Sequence, residues 1–277
     1  MSMKSVFKSR IIFLWRFLSV YYSFFRRHKQ VYKNGEFKKN KLTKSEKNEY
    51  LNYWKQFFPI VSIKTVEISK SLTGEYNKFI VPEEIYAVYV EPCLNFRSDS
   101  IFMENKNFYN KWFGGNDFPM DYFHKIDGRY YDDGLNEIKN IDVFIEDCDI
   151  NYPIILKPSV DSFGGKDIYF IKSKEELKIT HRNFTNLVVQ EKIEQSELMS
   201  KFNPDSINTI RVCLLKVDGD FQIINSSLRM GKDGSLDNET AGGIVCNIFS
   251  DGRLNSYAVD KHCRKFKEHP NTHIVFD

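Results

Sequence analysis

Residues 154–168 carry the most informative pattern in this chain: Ile154-Ile155-Leu156-Lys157-Pro158-Ser159-Val160-Asp161-Ser162-Phe163-Gly164-Gly165-Lys166-Asp167-Ile168. The pattern predicts an apolar strand that ends at Lys157, a loop of small residues and a second strand. A lysine beside glycines suits a polyphosphate, because the ammonium supplies a point charge and the loop supplies backbone N–H donors. Neither GxxxxGK[ST] nor GxGxxG is present, which excludes a Walker A loop and a Rossmann fingerprint. The alternative is an ordinary hairpin with a Gly-Gly turn.

The composition indicates a globular protein. The chain has 277 residues, of which 42% are hydrophobic and 28% are charged. This length allows one large domain or two small ones, and the hydrophobic content excludes disordered and fibrous classes. Its five cysteines form no CxxC pair, so neither a disulfide framework nor a zinc ribbon is indicated. We therefore expect a reducing, cytoplasmic compartment.

The first forty residues form a basic arm. Residues 1–41 contain eleven Lys or Arg and a single acidic residue, Glu36, whereas the rest has 29 basic and 36 acidic residues. The uninterrupted apolar part, Phe17 to Phe25, is too short to cross a bilayer, which needs about 20 apolar residues. Nucleic acid is not the expected partner, because no basic stripe with interleaved aromatics continues beyond the arm.

Residues 7–29 have the spacing of an amphipathic helix. At about 100° per residue, one stripe collects seven apolar side chains: Phe7, Ile11, Leu14, Trp15, Leu18, Tyr22 and Phe25. Such a helix suits an anionic membrane surface, with peripheral attachment at the inner membrane. The alternative is that the stripe packs on the protein's own body.

The rest of the chain predicts an α+β protein. Thr43 and Glu46 form a capping box that starts a helix, with Tyr50, Tyr53, Trp54 and Phe57 facing inward. A second helix is expected over 103–113 and a third near 174–178, while residues 85–90 suit strand or helix. Period-two patterns predict eight strands, at 141–145, 152–157, 167–171, 187–192, 209–215, 221–227, 244–249 and 254–259. Asp218-Gly219 and Asp251-Gly252 predict turns between strands.

Several later blocks add to the lysine and glycine segment. Asn186–Ile193 is an apolar strand that turns polar, Asn208-Thr209-Ile210-Arg211 opens a strand, and Leu228-Arg229-Met230-Gly231 closes another. Asp237-Asn238-Glu239-Thr240-Ala241-Gly242-Gly243 comes next. In this order the blocks resemble the ATP-grasp superfamily, most closely the sugar-transfer associated ATP-grasp family, from about Leu42 to the C-terminus. The resemblance implies an ATP-grasp fold of two α+β subdomains with the nucleotide between them.

The resemblance implies two phosphate-binding lysines. Lys157 would contact the α- and β-phosphates, and Lys106 looks like the lysine of the family's Asp-Lys element, although Asn105 stands where the family has aspartate. The loop from Asp161 to Gly165 would close over the phosphates, with Ser162, Gly164 and Gly165 as donors.

The resemblance also implies an adenine hinge and a substrate site. Gln190, Glu191 and Ile193 would form the hinge, with the Glu191 carboxylate at the exocyclic amine. Arg211 and Arg229 would face the transferred phosphoryl group and the substrate carboxylate, since a guanidinium pairs bidentately with either anion. Asn238 would lie beside that substrate. Each residue also has a structural alternative: ion-paired sheet arginines, a solvated strand end, a helix-surface lysine and a plain turn.

The activity implied is an ATP- and Mg²⁺-dependent carboxylate-amine ligase of bacterial surface-polysaccharide biosynthesis, with an acyl-phosphate intermediate. Its substrates would be a small-molecule carboxylate and an amine or sugar. The alternatives are a non-catalytic nucleotide-binding or scaffold protein at the membrane, and a small-molecule kinase on the same fold.

The C-terminal part departs from the family pattern. His269-Pro270-Asn271-Thr272 matches the family's H-P-x-T element, but the acidic strands that hold magnesium in the family are absent after it. Three explanations are open: the C-terminal part is incomplete, the protein binds nucleotide without turning it over, or a partner supplies the metal site. The apolar run Ile274-Val275-Phe276 at the end favours an incomplete C-terminal part, and the metal ligands stay unknown. His262, Cys263, His269 and His273 match no standard zinc spacing. The expected divisions are 1–41 as the arm, 42–120 as a helical or mixed region, 121–193 as the small subdomain and 194–277 as the large subdomain.

Overall fold

The computed structural model describes residues 3–33, 40–58, 60–95, 101–114, 117–160 and 167–276, without the side chains of 3–10, 12 and 13. The chain divides into two compact units. Unit 1 comprises residues 1–97, 254–267 and 276–277, and unit 2 comprises 98–253 and 268–275. The architecture is α+β, as the sequence predicts. The domain divisions expected from the sequence stay predictions.

Unit 1 is mainly helical. It contains α1 (Met3–Val31), α2 (Lys44–Trp54), α3 (Lys64–Thr73), α4 (Glu83–Ile85), a π-helical turn (Tyr86–Val90), α5 (Glu91–Leu94), and strands β9 (Leu254–Asp260) and β10 (Lys265–Phe266). The predicted capping box of α2 is confirmed: Thr43 Oγ1 accepts from Glu46 N at 3.2 Å, and Glu46 Oε2 accepts from Thr43 N at 2.7 Å. No helix in the described part of the chain is both long and apolar enough to span a bilayer.

The core of unit 1 corrects one inward-facing prediction. Tyr50 is buried, and Phe17, Phe58, Ile85 and Val88 form a cluster. Phe57, predicted to face inward, is exposed, because α2 ends at Trp54 and the following turn directs Phe58 into the cluster instead.

The hairpin β9–β10 belongs to unit 1. Lys265 pairs with Val259 in the antiparallel ladder. Tyr257 Oη and Lys265 Nζ each donate a 2.8 Å hydrogen bond to the carbonyl of Leu72 in α3. The hairpin therefore satisfies a carbonyl in the last turn of that helix, where the backbone acceptors have no intrahelical partner.

Unit 2 contains an antiparallel sheet in the order β2-β1-β5-β3-β4. Its strands are β1 (Asp121–Ile126), β2 (Arg129–Asp132), β3 (Ile154–Pro158), β4 (Tyr169–Ile171) and β5 (Leu187–Glu191). Helices α7 (Ile141–Asp147) and α8 (Lys174–Thr180) contribute Ile145 and Leu177 to the core on one face of this sheet. Strand residues that alternate with the core residues therefore lie on the opposite face of the sheet.

Other parts of unit 2 are shorter elements and a long hairpin. They are 3₁₀ turns at Ile101–Glu104, Lys106–Phe108, His181–Asn183 and Glu239–Ala241, helices α6 (Tyr109–Phe113) and α9 (Glu197–Ser200), and strands β6 (Thr209–Val217), β7 (Asp220–Met230) and β8 (Ile244–Ile248). The Asp218-Gly219 turn is confirmed, with φ of 52° and 98° joining β6 to β7. Asp251-Gly252 lies in a turn after β8, with Gly252 at φ 88°.

Two predicted elements differ from the structure. Residues 141–145, predicted as a strand, form the first turns of α7, because the Asn140 side chain caps this helix by accepting from Asp142 N and Val143 N. The predicted helix over 103–113 is broken into two 3₁₀ turns and the short α6, which ends at Gly114 as expected. The ambiguous run at 85–90 is helical, with a π-helical turn.

Candidate functional site

One face of the first sheet of unit 2 carries several polar side chains beside the apolar Ile155 and Val188. In the antiparallel register, Lys157 lies opposite Val188, Gln190 lies opposite Ile155, and Asp121 lies opposite Gln190. Side chains alternate along a strand, so Lys157 and Gln190 point to the same face, while the preceding residues Leu156 and Val189 point into the core on the other face. The chain thus collects three polar side chains from three strands.

Lys157 and Lys106 are close enough to affect each other. Burial, followed by the nearby Lys106 ammonium, lowers the pKa of Lys157, and Asp121 partly opposes the shift. Among the described residues, no carboxylate forms an ion pair with Lys157. Two neighbouring ammonium groups favour an anionic ligand, which would relieve their repulsion.

The Lys106 segment is held against the end of β3. Lys106 N donates to the carbonyl of Ser159 at 2.9 Å, and Lys106 Nζ lies 3.4 Å from the same oxygen. Asn105, which stands where the family has aspartate, caps the 3₁₀ turn by accepting from Asn107 N at 3.1 Å. The asparagine therefore supplies the oxygen acceptor that this cap needs.

Four polar residues near the lysines were missed by the sequence analysis. Asp121 accepts from Gln190 Nε2 at 2.6 Å and from Asn110 Nδ2 at 2.8 Å. His124 Nε2 lies 3.6 Å from Asp121, and its Nδ1 lies 3.2 Å from Asn107 Oδ1. Burial lowers the pKa of His124. The available signal for β1, which carries Asp121 and His124, was the hairpin dipeptide Asp127-Gly128 that follows it.

Three buried polar atoms around this face have no partner in the described structure. They are Gln190 Oε1, Ser159 Oγ and Asn107 Nδ2. Buried polar atoms are nearly always hydrogen-bonded, so unpaired ones indicate a water or a ligand. Together with the two lysines, they fit a polar, anionic ligand such as a nucleotide phosphate chain.

The predicted adenine hinge lies at the end of β5. Glu191 N donates to Met120 O at 3.0 Å, and Met120 N donates to Glu191 Oε1 at 2.9 Å. One carboxylate oxygen of Glu191 is therefore already engaged by the backbone. Glu191 and Ile193 line a cavity of about 640 Å³, which Gln190 does not line. The role of these residues in binding adenine stays a prediction.

The predicted phosphate loop cannot be placed on this face. Ser162, Gly164 and Gly165 lie outside the described residues, which resume at Asp167. On the near side of the gap, Ser159 is buried and follows β3 directly.

Arg211, Arg229 and Asn238 lie together. They line a cavity of about 200 Å³ with Ser227, Glu239 and Val245. Arg229 lies opposite both Thr209 and Val245, and Arg211 lies opposite Ser227. Thr209 and Arg211 are two residues apart on β6, so both arginines emerge from one face of the sheet.

An acidic residue holds one of these arginines. Arg229 Nε lies 3.7 Å from Asp237 Oδ2, and Thr209 Oγ1 donates to the same carboxylate oxygen. Asn238 Oδ1 accepts from Thr240 N at 3.1 Å, so this side chain also caps the turn at 239–241. Arg211, which also lines the cavity, is exposed.

The glycines after Asn238 are required by the backbone. Gly242 has φ of 117°, in the left-handed region that favours glycine. A Cβ on Gly243 would lie 2.6 Å from the carbonyl oxygen of Asp237 and 2.8 Å from that of Met230. Only glycine at 243 lets the loop approach the end of β7 this closely.

The two groups of cations do not share a described cavity. Lys106 and Lys157 line neither of the two cavities, and the cavities have no lining residue in common. The structure thus brings together the two lysines, and separately the two arginines with Asn238.

The H-P-x-T element has a structural role. His269 is buried, its Nε2 lies 2.8 Å from the carbonyl of Gly231, and Thr272 Oγ1 donates to Phe202 O at 2.9 Å. Because a carbonyl only accepts, Nε2 carries the proton. Within the described ranges, no group of three or more His, Cys, Asp or Glu is arranged to hold a metal ion.

The architecture defines an α+β protein in which a strand lysine, Lys157, and a lysine of a neighbouring 3₁₀ turn, Lys106, lie near one face of an antiparallel sheet. The sugar-transfer associated ATP-grasp family model matches residues 87–277. The chain therefore belongs to the sugar-transfer associated ATP-grasp family. No curated protein and no solved structure was found to match the chain.

Proposed function

We propose that this protein is an ATP-dependent carboxylate-amine ligase that acts in bacterial surface-polysaccharide biosynthesis. The observation that carries the proposal is the lysine pair. Lys157 lies on β3, and Lys106 lies in the 3₁₀ turn whose backbone bonds to Ser159, directly after β3. Burial and then the Lys106 ammonium lower the pKa of Lys157, so a bound anion would stabilise its charged form. Because the chain belongs to an ATP-grasp family, the phosphate chain of ATP is the anionic ligand that we propose.

The proposed roles fall into two groups, nucleotide binding and substrate binding. Lys157 and Lys106 would hold the phosphates, while Gln190, Glu191 and Ile193 would contact the base. Arg211 and Arg229 would pair with the substrate carboxylate and with the phosphoryl group during transfer, because a guanidinium matches planar oxyanions. Mg²⁺ would offset the phosphate charge. The nucleotide would lie between two α+β subdomains, with the 161–165 loop excluding water.

The reaction balances as two displacements. A carboxylate oxygen takes the γ-phosphoryl group and ADP leaves, which produces an acyl phosphate. The amine nitrogen then attacks the acyl carbon, loses a proton and displaces inorganic phosphate. Asn238, beside the arginines, would orient the carboxylate. The work would take place at the cytoplasmic face of the inner membrane, where lipid-linked glycans are assembled.

Calorimetry with ATP and Mg²⁺ tests the nucleotide site. We expect Lys157→Met to weaken binding roughly 10- to 100-fold, since a hydrogen bond to a charged group contributes about 1.5–3 kcal/mol. Lys139→Met is the matched control, because Lys139 is an exposed lysine of the same unit. Unchanged binding by the Lys157 variant would remove the proposed site.

Release of ADP in the presence of candidate carboxylates and amines tests the reaction. We expect release only when both substrates are present, with a joined product. Nucleotide binding without release for any pair would favour the non-catalytic scaffold, and phosphorylated product without joining would favour a kinase.

A further inference from the structure

Helix α1 exposes a continuous apolar stripe. Ile11, Leu14, Trp15, Leu18, Tyr22 and Phe25 are all exposed, with Trp15 at 72% and Tyr22 at 62% of their full accessible areas. At about 100° per residue, these side chains lie on one side of the helix. They are the described members of the stripe expected from the sequence, and the side chain of Phe7 lies outside the described set.

A different face of α1 packs on unit 1. Phe17, His28 and Val31 are buried, and Phe17 belongs to the cluster with Phe58, Ile85 and Val88. His28 Nε2 lies 3.2 Å from Glu83 Oε2. The sequence left open whether the stripe packs on the protein's own body. Since another face of the helix has that role, the stripe needs a different partner.

The charge around the stripe is positive. Helix α1 contains no Asp or Glu in 29 residues. Arg26 and Lys29 are exposed and, by helical spacing, lie beside Tyr22 and Phe25. In the described ranges, no carboxylate forms an ion pair with Arg26, Arg27 or Lys29. Arg16, in contrast, turns back toward unit 1, where its Nη2 lies 4.0 Å from Glu91.

We infer that α1 binds the surface of a bilayer that contains anionic lipids, with the stripe among the acyl chains and Arg26 and Lys29 at the headgroups. Trp and Tyr favour this interface because their rings are apolar and their N–H or O–H groups need water. A second copy of the helix suits the stripe poorly, because two such helices would bring basic residues together without any acid to offset them. This inference does not depend on the proposed reaction.

Flotation with vesicles of phosphatidylcholine, with and without phosphatidylglycerol, tests the inference. The full chain should float with the anionic vesicles, and high salt should weaken the binding. We expect Trp15→Glu with Tyr22→Glu to reduce partitioning at least about 10-fold, because two large apolar side chains no longer enter the bilayer. We expect Arg26→Gln with Lys29→Gln to reduce it roughly 25-fold at low salt, about 5-fold for each charge.

Matched controls separate the stripe from general surface effects. Ile179→Glu with Ile223→Glu changes two side chains that are 70% and 68% exposed in unit 2. Lys55→Gln with Lys172→Gln removes two exposed charges elsewhere. Both control proteins should float like the unchanged protein. Equal losses in the control and stripe variants would overturn the inference.

Fluorescence gives a readout that does not depend on disrupting the helix. The protein has three tryptophans, Trp15, Trp54 and Trp112. Anionic vesicles should shift the emission to the blue, and Trp15→Phe should keep vesicle binding but lose most of the shift. No binding of the unchanged protein to anionic vesicles would overturn the inference. The inference would also be overturned if the unchanged protein formed a dimer, did not bind vesicles, and the stripe variants dissociated that dimer.

Discussion

The imidazole of His181 shows how a buried titratable group makes stability depend on pH. His181 is fully buried, its Nδ1 lies 2.8 Å from Tyr130 Oη, and its Nε2 has no partner in the described structure. Burial, with the Lys125 and Arg182 charges, lowers its pKa from 6.5 to about 4. Between these two values the unfolded chain binds a proton that the folded chain does not, so acid favours unfolding.

We expect this histidine to remove about 2 kcal/mol of unfolding free energy between pH 7 and pH 5. His181→Phe, which keeps an aromatic ring against Phe123, should lose less stability over the same pH range. Urea unfolding at several pH values measures the difference. Carboxylates and other histidines also titrate, but their contributions to the free energy of unfolding are the same in both proteins and cancel in the comparison. Parallel pH profiles would contradict the prediction.

Helix α7 depends on one cap. The side-chain oxygen of Asn140 accepts from Asp142 N at 3.1 Å and from Val143 N at 3.2 Å. Asn140→Ala should lower the free energy of unfolding by about 1 kcal/mol, because two backbone donors at the start of the helix lose their acceptor. Lys139→Ala, at the preceding exposed position, should change it by less than about 0.5 kcal/mol. Urea denaturation of the three proteins checks both values.

The loop after β7 depends on the absence of a side chain. Gly243→Ala should destabilise the protein by roughly 1–3 kcal/mol, since the added methyl group meets two backbone carbonyls that cannot rotate away. The exposed Ser250→Ala provides the control in thermal unfolding. Equal melting temperatures for the two variants would show that the loop has room to adjust.

The second half of the fold was predictable from local patterns. Strands β3 to β9 overlap seven of the eight predicted strands, and Asp218-Gly219 marks one hairpin. Strands β1 and β2 were missed although Asp127-Gly128 marks their turn. The run Ile141-Asp142-Val143-Phe144-Ile145 suggested a strand because short apolar runs do not separate strand from helix, and the cap at Asn140 decided the outcome.

The candidate site was predictable only in part. Motif blocks in the sequence named four cationic residues: Lys106, Lys157, Arg211 and Arg229. The structure places the two lysines near each other and the two arginines around one cavity. Asp121 was not found, since its partner Gln190 is 69 residues away and only strand pairing brings the two together. The exposure of the α1 stripe could not be predicted either, because it depends on which face of α1 packs against the rest of unit 1.

At the scale of the whole molecule, the chain passes between the units more than once. Unit 1 needs residues 254–267 for its hairpin, and unit 2 needs 268–275 for the contacts of His269 and Thr272. Neither unit is therefore a single continuous segment. Removal of the last part of the chain should affect both.

Two shortened chains test this arrangement by limited proteolysis. A chain that ends at Arg253 lacks the hairpin and its two bonds to Leu72 O, so we expect faster cleavage within residues 40–95. A chain that ends at Lys267 keeps the hairpin, and its residues 40–95 should be cut more slowly. Identical cleavage rates in this region would contradict the assignment of the hairpin to unit 1.

The interrupted path of unit 1 has a consequence for synthesis on the ribosome. Residues 98–253 must be translated before the β9–β10 hairpin emerges. At about 5–20 residues per second, the hydrogen-bond acceptor at Leu72 waits roughly 10 to 40 s for Tyr257 and Lys265. Helix α1 leaves the exit tunnel long before then, so its apolar stripe is available to a nearby surface while the rest of its unit is still unfinished.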